Sequence, residues 1–208
     1  MSSALVVDDH PFIRSSVKML LANEGFSVIT EAGDGATAIQ SVREQPPDLV
    51  VLELTVPKLD GLELIARITA LNGPSRVLVL TSQPALFYCA RCIKAGAAGF
   101  VSKSNELDEL VNAVRAVMEG YTYFPDLASS TVRRSDLQRT DYERVQRLSD
   151  RELSILQQLS LGMTNKQIGE AMLISNKTVS TYKTRLIEKL NVKSVVYLAD
   201  FAKRNNLV

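Results

Sequence analysis

The first 124 residues alternate five short apolar runs with five helical patterns, and this alternation restricts the fold more than any other feature. The runs are rich in β-branched residues, and the segments between them repeat apolar residues three and four positions apart. Strands and helices that alternate in this way form a parallel sheet covered by helices on both faces. The sequence therefore predicts an α/β fold, a doubly wound (βα)5 domain over residues 1–124. The predicted strands are Ala4–Val7, Ser27–Glu31, Leu49–Leu54, Arg76–Thr81 and Gly99–Val101.

Four of the predicted strands bring acids, a hydroxyl or an amine to their carboxyl ends. Asp8 and Asp9 follow the first strand, Glu53 lies near the end of the third, Thr81 ends the fourth and Lys103 follows the fifth. In open parallel sheets the functional crevice lies beyond these strand ends. Mg²⁺ prefers oxygen ligands, and a metal ion with a lysine can steady a transferring phosphoryl group. We therefore expect Asp8, Asp9 and Glu53 to form a Mg²⁺ site.

The charge of the chain is divided unevenly along its length. Residues 1–124 contain 10 Lys and Arg against 14 Asp and Glu, whereas residues 148–208 contain 9 against 5. A basic C-terminal region favours a partner with a phosphate backbone. No run approaches the roughly 18 apolar residues of a membrane span, so the expectation is a cytoplasmic protein without a membrane partner.

The last 61 residues have the pattern of a small all-α domain. Ser149 to Glu152 and Thr164 to Gln167 are capping boxes, and Ser175 begins a third helix that runs to about Leu190. A fourth helix is predicted at Val195–Arg204. The second and third helices form a helix-turn-helix, which gives a four-helix domain at 148–208. The polar, arginine-rich stretch 125–147 is predicted to be a mobile linker with a short helix near its end.

The third of these helices has the composition of a DNA recognition helix. Val179, Leu186 and Leu190 share one face, and the opposite arc carries hydroxyls and cations. Hydroxyls suit base edges, and cations suit phosphates or guanine. The stem of Lys183 lies at the buried edge, so its amine is expected to extend outward to a phosphate. The predicted DNA contacts are Lys177, Thr178, Ser180, Thr181, Lys183, Thr184 and Arg185.

Residues 1–124 resemble the receiver domain of bacterial two-component response regulators. The resemblance implies that Asp8 and Asp9 bind metal, that Thr81 and Phe100 take part in switching, and that Lys103 contacts the phosphoryl group. The ring of Phe100 is placed where it could move inward. The motifs that carry the resemblance are Val6–His10, Val56–Gly61, Leu80–Ser82 and Phe100–Lys103.

Glu53 is where this chain departs from the receiver pattern, because the family has its phosphoaccepting aspartate there. Glutamate reaches roughly 1.5 Å further, one carbon–carbon bond, and a displacement of about 1 Å can cost about a hundredfold in rate. We hypothesise that Glu53 is a poor phosphoacceptor and biases the domain toward its active arrangement. A naturally degenerate receiver and an aspartate exchanged to imitate phosphorylation both fit. So does a Glu53 that only pairs with Lys103.

Residues 148–208 resemble the DNA-binding domain of the NarL/FixJ/LuxR group, and the chain as a whole is similar to its BvgA/EvgA branch. The resemblance rests on Leu148–Glu152, Gly162–Gly169 and Ser175–Tyr182. It implies a homodimer on inverted half-sites of promoter DNA, controlled by a hybrid sensor histidine kinase. The last helix would pair across the two-fold axis through Val195, Leu198 and Ala202. Packing inside the domain is the alternative for Leu198 and for Phe201, which lies alongside this stripe.

Other functions fit the sequence less well. A degenerate receiver could act mainly as a protein-interaction module on another regulator. A phosphatase would need Asp-x-Asp after the first strand, where this chain has Asp-Asp-His, so we do not expect an enzyme. Cys89 and Cys92 are interpreted as thiols on a surface helix, with a redox pair as the alternative, because a zinc site would need two further ligands.

Overall fold

The computed structural model describes residues 2–125 and 136–208, which fall into two compact units, Met1–Pro125 and Asp126–Val208. The strands are β1 (Ser2–Val7), β2 (Phe26–Ala32), β3 (Leu49–Leu52), β4 (Arg76–Thr81) and β5 (Gly99–Ser102). The helices of the first unit are α1 (Pro11–Asn23), α2 (Gly35–Glu44), α3 (Gly61–Ala70), α4 (Ala85–Ala95) and α5 (Leu107–Met118). Those of the second are α6 (Asp136–Gln146), α7 (Asp150–Ser160), α8 (Asn165–Met172), α9 (Asn176–Leu190) and α10 (Val195–Arg204).

The five strands form one parallel sheet in the order β2-β1-β3-β4-β5, which confirms the predicted doubly wound fold. The central strand β3 is buried along its whole length, as expected for a strand with helices on both faces. It ends at Leu52 rather than at Leu54. The carbonyl of Leu54 instead accepts a hydrogen bond from the Gly61 amide at the start of α3. The Glu53 amide still donates to the Val7 carbonyl of β1 at 2.9 Å, so the chain leaves the sheet directly after Glu53.

The outer edge of β5 is covered by the segment that comes after α5. The Phe100 amide donates to the Tyr123 carbonyl at 2.8 Å, and the Tyr123 amide donates to the Ala98 carbonyl at 2.9 Å. Gly99 forms the corresponding isolated parallel bridge with Tyr123. A Cβ on Gly99 would lie 3.0 Å from the Tyr123 carbonyl oxygen, so glycine permits this close approach.

The second unit consists of α6 and the four predicted helices. Both predicted capping boxes, at the starts of α7 and α8, are present. Part of the predicted linker, 126–135, lies outside the described residues. Its end forms α6, where the buried Asp141 accepts hydrogen bonds from Arg204 and Asn205 at the end of α10. This part of the chain is therefore tied to the C-terminal unit.

Among the residues that the structure describes, no helix is both long enough and apolar enough to cross a lipid bilayer.

Candidate functional site

Four of the side chains predicted from the strand ends meet at one edge of the sheet. Lys103 Nζ lies 2.6 Å from Asp8 Oδ2 and 2.7 Å from Glu53 Oε2. The Thr81 hydroxyl donates to Glu53 Oε1 at 2.5 Å. Asp8, Glu53 and Thr81 are each at most 4% exposed. We call this group, Asp8, Glu53, Thr81 and Lys103, the acidic pocket.

The lysine of the acidic pocket is held in its charged form. Burial opposes the charge on Lys103, but the hydrogen bonds from its ammonium to Asp8 and Glu53 outweigh burial and raise its pKa above the usual value. A half-buried ammonium between two carboxylates offsets part of their mutual repulsion. The same cation would face the negative charge of a phosphoryl group.

Asp9 lies beside the acidic pocket and belongs to a second set of ligand atoms. Oxygens of Asp8 and Asp9 and a ring nitrogen of His10 lie within 4.8 Å of one another. His10 Nδ1 is 2.9 Å from Asp9 Oδ1, and the His10 amide donates to Asp8 Oδ1. Glu53 is not part of this cluster. Two carboxylates from adjacent positions suit a hard divalent cation, whereas imidazole is a poor Mg²⁺ ligand.

Two contributors to the acidic pocket are absent from the sequence prediction. The amide and hydroxyl of Thr55 both donate to Glu53 Oε1, at 3.0 and 3.1 Å. Arg14 donates to the Asp8 carbonyl at 2.7 Å from the first turn of α1. Thr55 follows Glu53 by two residues, a spacing at which Asp and Asn side chains bind the backbone ahead of them, so a glutamate at this position gave no such signal.

Phe100 lies inside the domain, with 1% of its surface exposed. The switching role of Phe100 stays a prediction. The buried ring and the Thr81–Glu53 hydrogen bond occur together in the same structure.

The exposed face of α9 carries most of the predicted DNA contacts. Val179, Leu186 and Leu190 are fully buried, as the helical spacing predicts. Lys183 is half-buried, in keeping with its position at the edge of this face. Thr178 is half-buried too, because its amide and hydroxyl contact Ser175, the N-cap residue of α9. The exposed members are Lys177, Ser180, Thr181, Thr184 and Arg185.

Three hydroxyls of this face donate to carbonyls of their own helix. Ser180 donates to the Asn176 carbonyl at 3.2 Å, Thr181 to Lys177 and Thr184 to Ser180. A hydroxyl has a single proton, so each of these oxygens can act toward a further partner only as an acceptor. Such an oxygen is ready to accept from the amino group of a base.

One contributor to this surface, Asn165 at the start of α8, was missed by sequence reasoning. Its amide nitrogen donates to Ser180 Oγ at 3.0 Å, and its amide oxygen accepts from Lys183 Nζ at 3.2 Å. Contacts between helices separated by a turn leave no periodic signal in a sequence. Only the packing of α8 against α9 reveals them.

Two sequence interpretations need correction. Leu198 and Ala202, predicted to form a dimer contact on α10, are fully buried within the single chain, because this face of the helix packs on α7. The apolar residues that α10 exposes are Val196, at 71%, and Tyr197, at 50%. Cys89 and Cys92 are also buried, on the inner face of α4, rather than on the surface.

Comparisons with known proteins agree with this two-unit architecture. Residues 4–115 match the family of response regulator receiver domains, and residues 146–202 match the LuxR family of bacterial regulatory proteins. The transcription regulator BvgA of Bordetella pertussis is 52% identical over 206 residues, which cover 99% of each chain. The transcriptional activator EvgA of Escherichia coli is 34% identical over 205 residues, again 99% of each.

A solved structure agrees at the level of the fold. RcsB from Salmonella enterica serovar Typhimurium, bound to the promoter rprA in the presence of BeF3-, matches with a TM-score of 0.72 and 23% identity. The match covers 97% of this chain and 98% of that one. The resemblance inferred from the motifs, including the BvgA/EvgA branch, is confirmed. The chain belongs to the response regulators that join a receiver domain to a LuxR-type helix-turn-helix domain.

Proposed function

We propose that this chain regulates transcription by coupling the acidic pocket of its receiver to promoter binding through α9, in the cytoplasm. The observation that carries the proposal is the set of bonds around Glu53. Its carboxylate already joins Thr81 and Lys103, the two residues that the receiver resemblance assigns to switching and to the phosphoryl group. A side chain that makes these contacts without a phosphoryl group favours an arrangement close to the active one.

Promoter DNA is the proposed ligand of the C-terminal unit. The exposed face of α9 is rich in hydroxyls and cations, and the segment 148–208 has more basic than acidic residues. The RcsB structure contains promoter DNA, and another solved structure is described as two RcsB dimers on two parallel DNAs. A homodimer on two half-sites is therefore our proposed DNA-bound form.

Footprinting on promoter fragments, combined with two substitutions, tests this assignment. Lys177→Ala should weaken binding to all sequences alike and reduce the salt slope by about 1, because one phosphate contact is lost. Thr184→Ala should leave the salt slope unchanged and relax base preference. Both effects are measured by titrating specific and random duplexes at several salt concentrations.

Two outcomes would contradict this division of labour. Equal losses on specific and random duplexes for both variants would show that Thr184 does not read bases. A protein that protects no promoter fragment would favour the alternative, a receiver that acts mainly by binding another regulator.

The acidic pocket is proposed to be a poor phosphoacceptor. In the receiver family a sensor histidine kinase, here proposed to be of the hybrid type, would supply the phosphoryl group. Glu53 carries its carboxylate one bond further than aspartate, and that carboxylate is held by four donors on Thr55, Thr81 and Lys103. Incubation with acetyl phosphate should therefore leave the intact mass unchanged. A phosphoryl adduct that peptide mapping places on Glu53 would contradict the proposal.

Mg²⁺ is the proposed ion for this edge of the sheet. Asp8 and Asp9 would hold it and water would fill the other positions, since Glu53 is already engaged by protein donors. The ion would supply positive charge opposite a phosphoryl group. Mg²⁺ should shift the amide signals of residues 8 and 9 in an NMR titration, and Asp9→Asn should abolish that shift.

A further inference from the structure

The side chain of Asn165 joins two predicted DNA contacts that lie on a different helix. Asn165 is the first residue of α8, whereas Ser180 and Lys183 lie three residues apart on α9. Its amide bridges them, with the nitrogen 3.0 Å from Ser180 Oγ and the oxygen 3.2 Å from Lys183 Nζ. The bridge therefore crosses the helix-turn-helix next to the solvent-facing surface of α9.

The positive charge of Lys183 determines the orientation of the Asn165 side-chain amide. An ammonium group only donates hydrogen bonds, so the amide oxygen must face Lys183. The amide nitrogen, which only donates, must then face Ser180. The reverse orientation would place two donors against each other at Lys183.

This orientation determines which hydrogen-bonding groups of the Ser180 hydroxyl remain available to DNA. A hydroxyl has one proton and two lone pairs. The proton is donated to the Asn176 carbonyl at 3.2 Å, and one lone pair accepts from the Asn165 amide. A single lone pair remains on the exposed side. Thr181 and Thr184 also donate to backbone carbonyls, but neither shares the Asn165 amide as a partner.

We propose that Asn165 is a specificity-determining residue that holds Ser180 as a fixed hydrogen-bond acceptor toward the major groove. The inference rests on the proposed binding of DNA by α9. Adenine and cytosine present amino groups in the major groove, whereas guanine and thymine present only acceptors there. The base that faces Ser180 should therefore be adenine or cytosine. Asn165 acts through Ser180 and Lys183 and need not touch the DNA.

Selection of bound duplexes from a fully randomised library, with the full-length protein, tests the inference. The base position that loses its preference in Ser180→Ala identifies the base facing Ser180. There the parent protein should favour the base pair that presents its adenine or cytosine amino group to Ser180 by about fivefold, the value of one ordinary hydrogen bond. Asn165→Ala should reduce this preference to less than about twofold, because the 3.2 Å bond to the Asn176 carbonyl is then the one contact that holds the hydroxyl in place.

Two further variants keep the result interpretable. Lys183→Gln removes the charge that orients the amide, so it should relax the same base position while also reducing the salt slope. Ala171→Ser changes an exposed residue of α8 outside the bridge and should keep the parent profile. Asn165 is not the cap of α8, which is Thr164, so Asn165→Ala should remain folded at the temperature of the selection, as thermal unfolding would show.

The outcomes separate this inference from the proposed function. A parent that enriches no sequence would overturn both. A parent that enriches a site whose profile is unchanged in Asn165→Ala would overturn the role of Asn165 alone. Parent affinity that stays unchanged when the selected adenine or cytosine is replaced by an analogue without its amino group would also overturn it, because a fixed acceptor needs that donor.

Discussion

Glu53 accepts hydrogen bonds from Thr55, Thr81 and Lys103. Of these three donors, Thr81 is the one that lies within a strand, the neighbouring β4. Thr81→Val keeps the shape of the side chain but removes this donor, so the buried carboxylate loses one hydrogen bond. We expect the receiver to lose about 1.5–3 kcal/mol of unfolding free energy, the value for a hydrogen bond to a charged group. Urea unfolding measures the loss. Thr81→Ser keeps the hydroxyl and should lose far less; equal losses would contradict the role of this bond.

Glu152 makes the stability of the C-terminal unit depend on pH. Burial opposes its charge, but the hydrogen bond from Lys189 at 2.6 Å and the Ser149 amide outweigh burial, so its pKa is lowered. A lowered pKa adds stability above the unfolded value of about 4.3, and this stability is lost as the pH falls through the folded value.

Thermal unfolding across the acid range checks this dependence. Below about pH 4 the second unit should lose the contribution of Glu152, and Glu152→Gln should flatten the pH dependence because glutamine does not titrate. Glu188→Gln, on the exposed side of α9, is the control and should keep it. The same slope in parent and Glu152→Gln would show that other groups cause the acid effect.

At the scale of elements, the edge of β5 depends on a glycine. A methyl group on Gly99 would meet Leu78 Cδ1 at 2.8 Å and the Tyr123 carbonyl oxygen at 3.0 Å. Gly99→Ala should destabilise the receiver by about 1–3 kcal/mol through overpacking. It should also speed hydrogen exchange at the amides of Phe100 and Tyr123. Gly73→Ala, whose nearest neighbour would lie 4.0 Å away, should change neither quantity; slow exchange in Gly99→Ala would show that the pairing tolerates a side chain.

Helix α10 has one face that is buried in the core and another that is exposed and available to a partner. Leu198→Ala should cost about 2–5 kcal/mol of unfolding free energy, because it leaves a cavity in the fully buried interior. Val196→Ser combined with Tyr197→Ser changes exposed residues and should cost less than about 1 kcal/mol. If α10 pairs across a two-fold axis, this double variant should weaken the dimer in sedimentation experiments. A double variant that dimerises as strongly as the parent would show that α10 does not form the interface.

At the scale of the whole molecule, the sequence predicted the features that depend on periodicity and strand order. Alternating apolar runs predicted the sheet, and strand ends predicted that Asp8, Glu53, Thr81 and Lys103 converge. Periodicity identifies an apolar face but not its partner, so it could not decide between the dimer contact that the resemblance implies for Leu198 and packing inside the domain. The bridge from Asn165 to α9 was missed for a similar reason: it depends on how two helices pack.

The central claim is that Glu53 holds the acidic pocket near its active arrangement and that this arrangement sets the affinity of α9 for DNA. The most direct test compares the parent with Glu53→Asp, measuring affinity for a footprinted promoter fragment with and without acetyl phosphate and Mg²⁺. The account predicts that the parent binds equally tightly under both conditions. It also predicts that Glu53→Asp binds weakly until acetyl phosphate restores the parent's affinity. An aspartate variant that binds as tightly as the parent without acetyl phosphate would contradict the account.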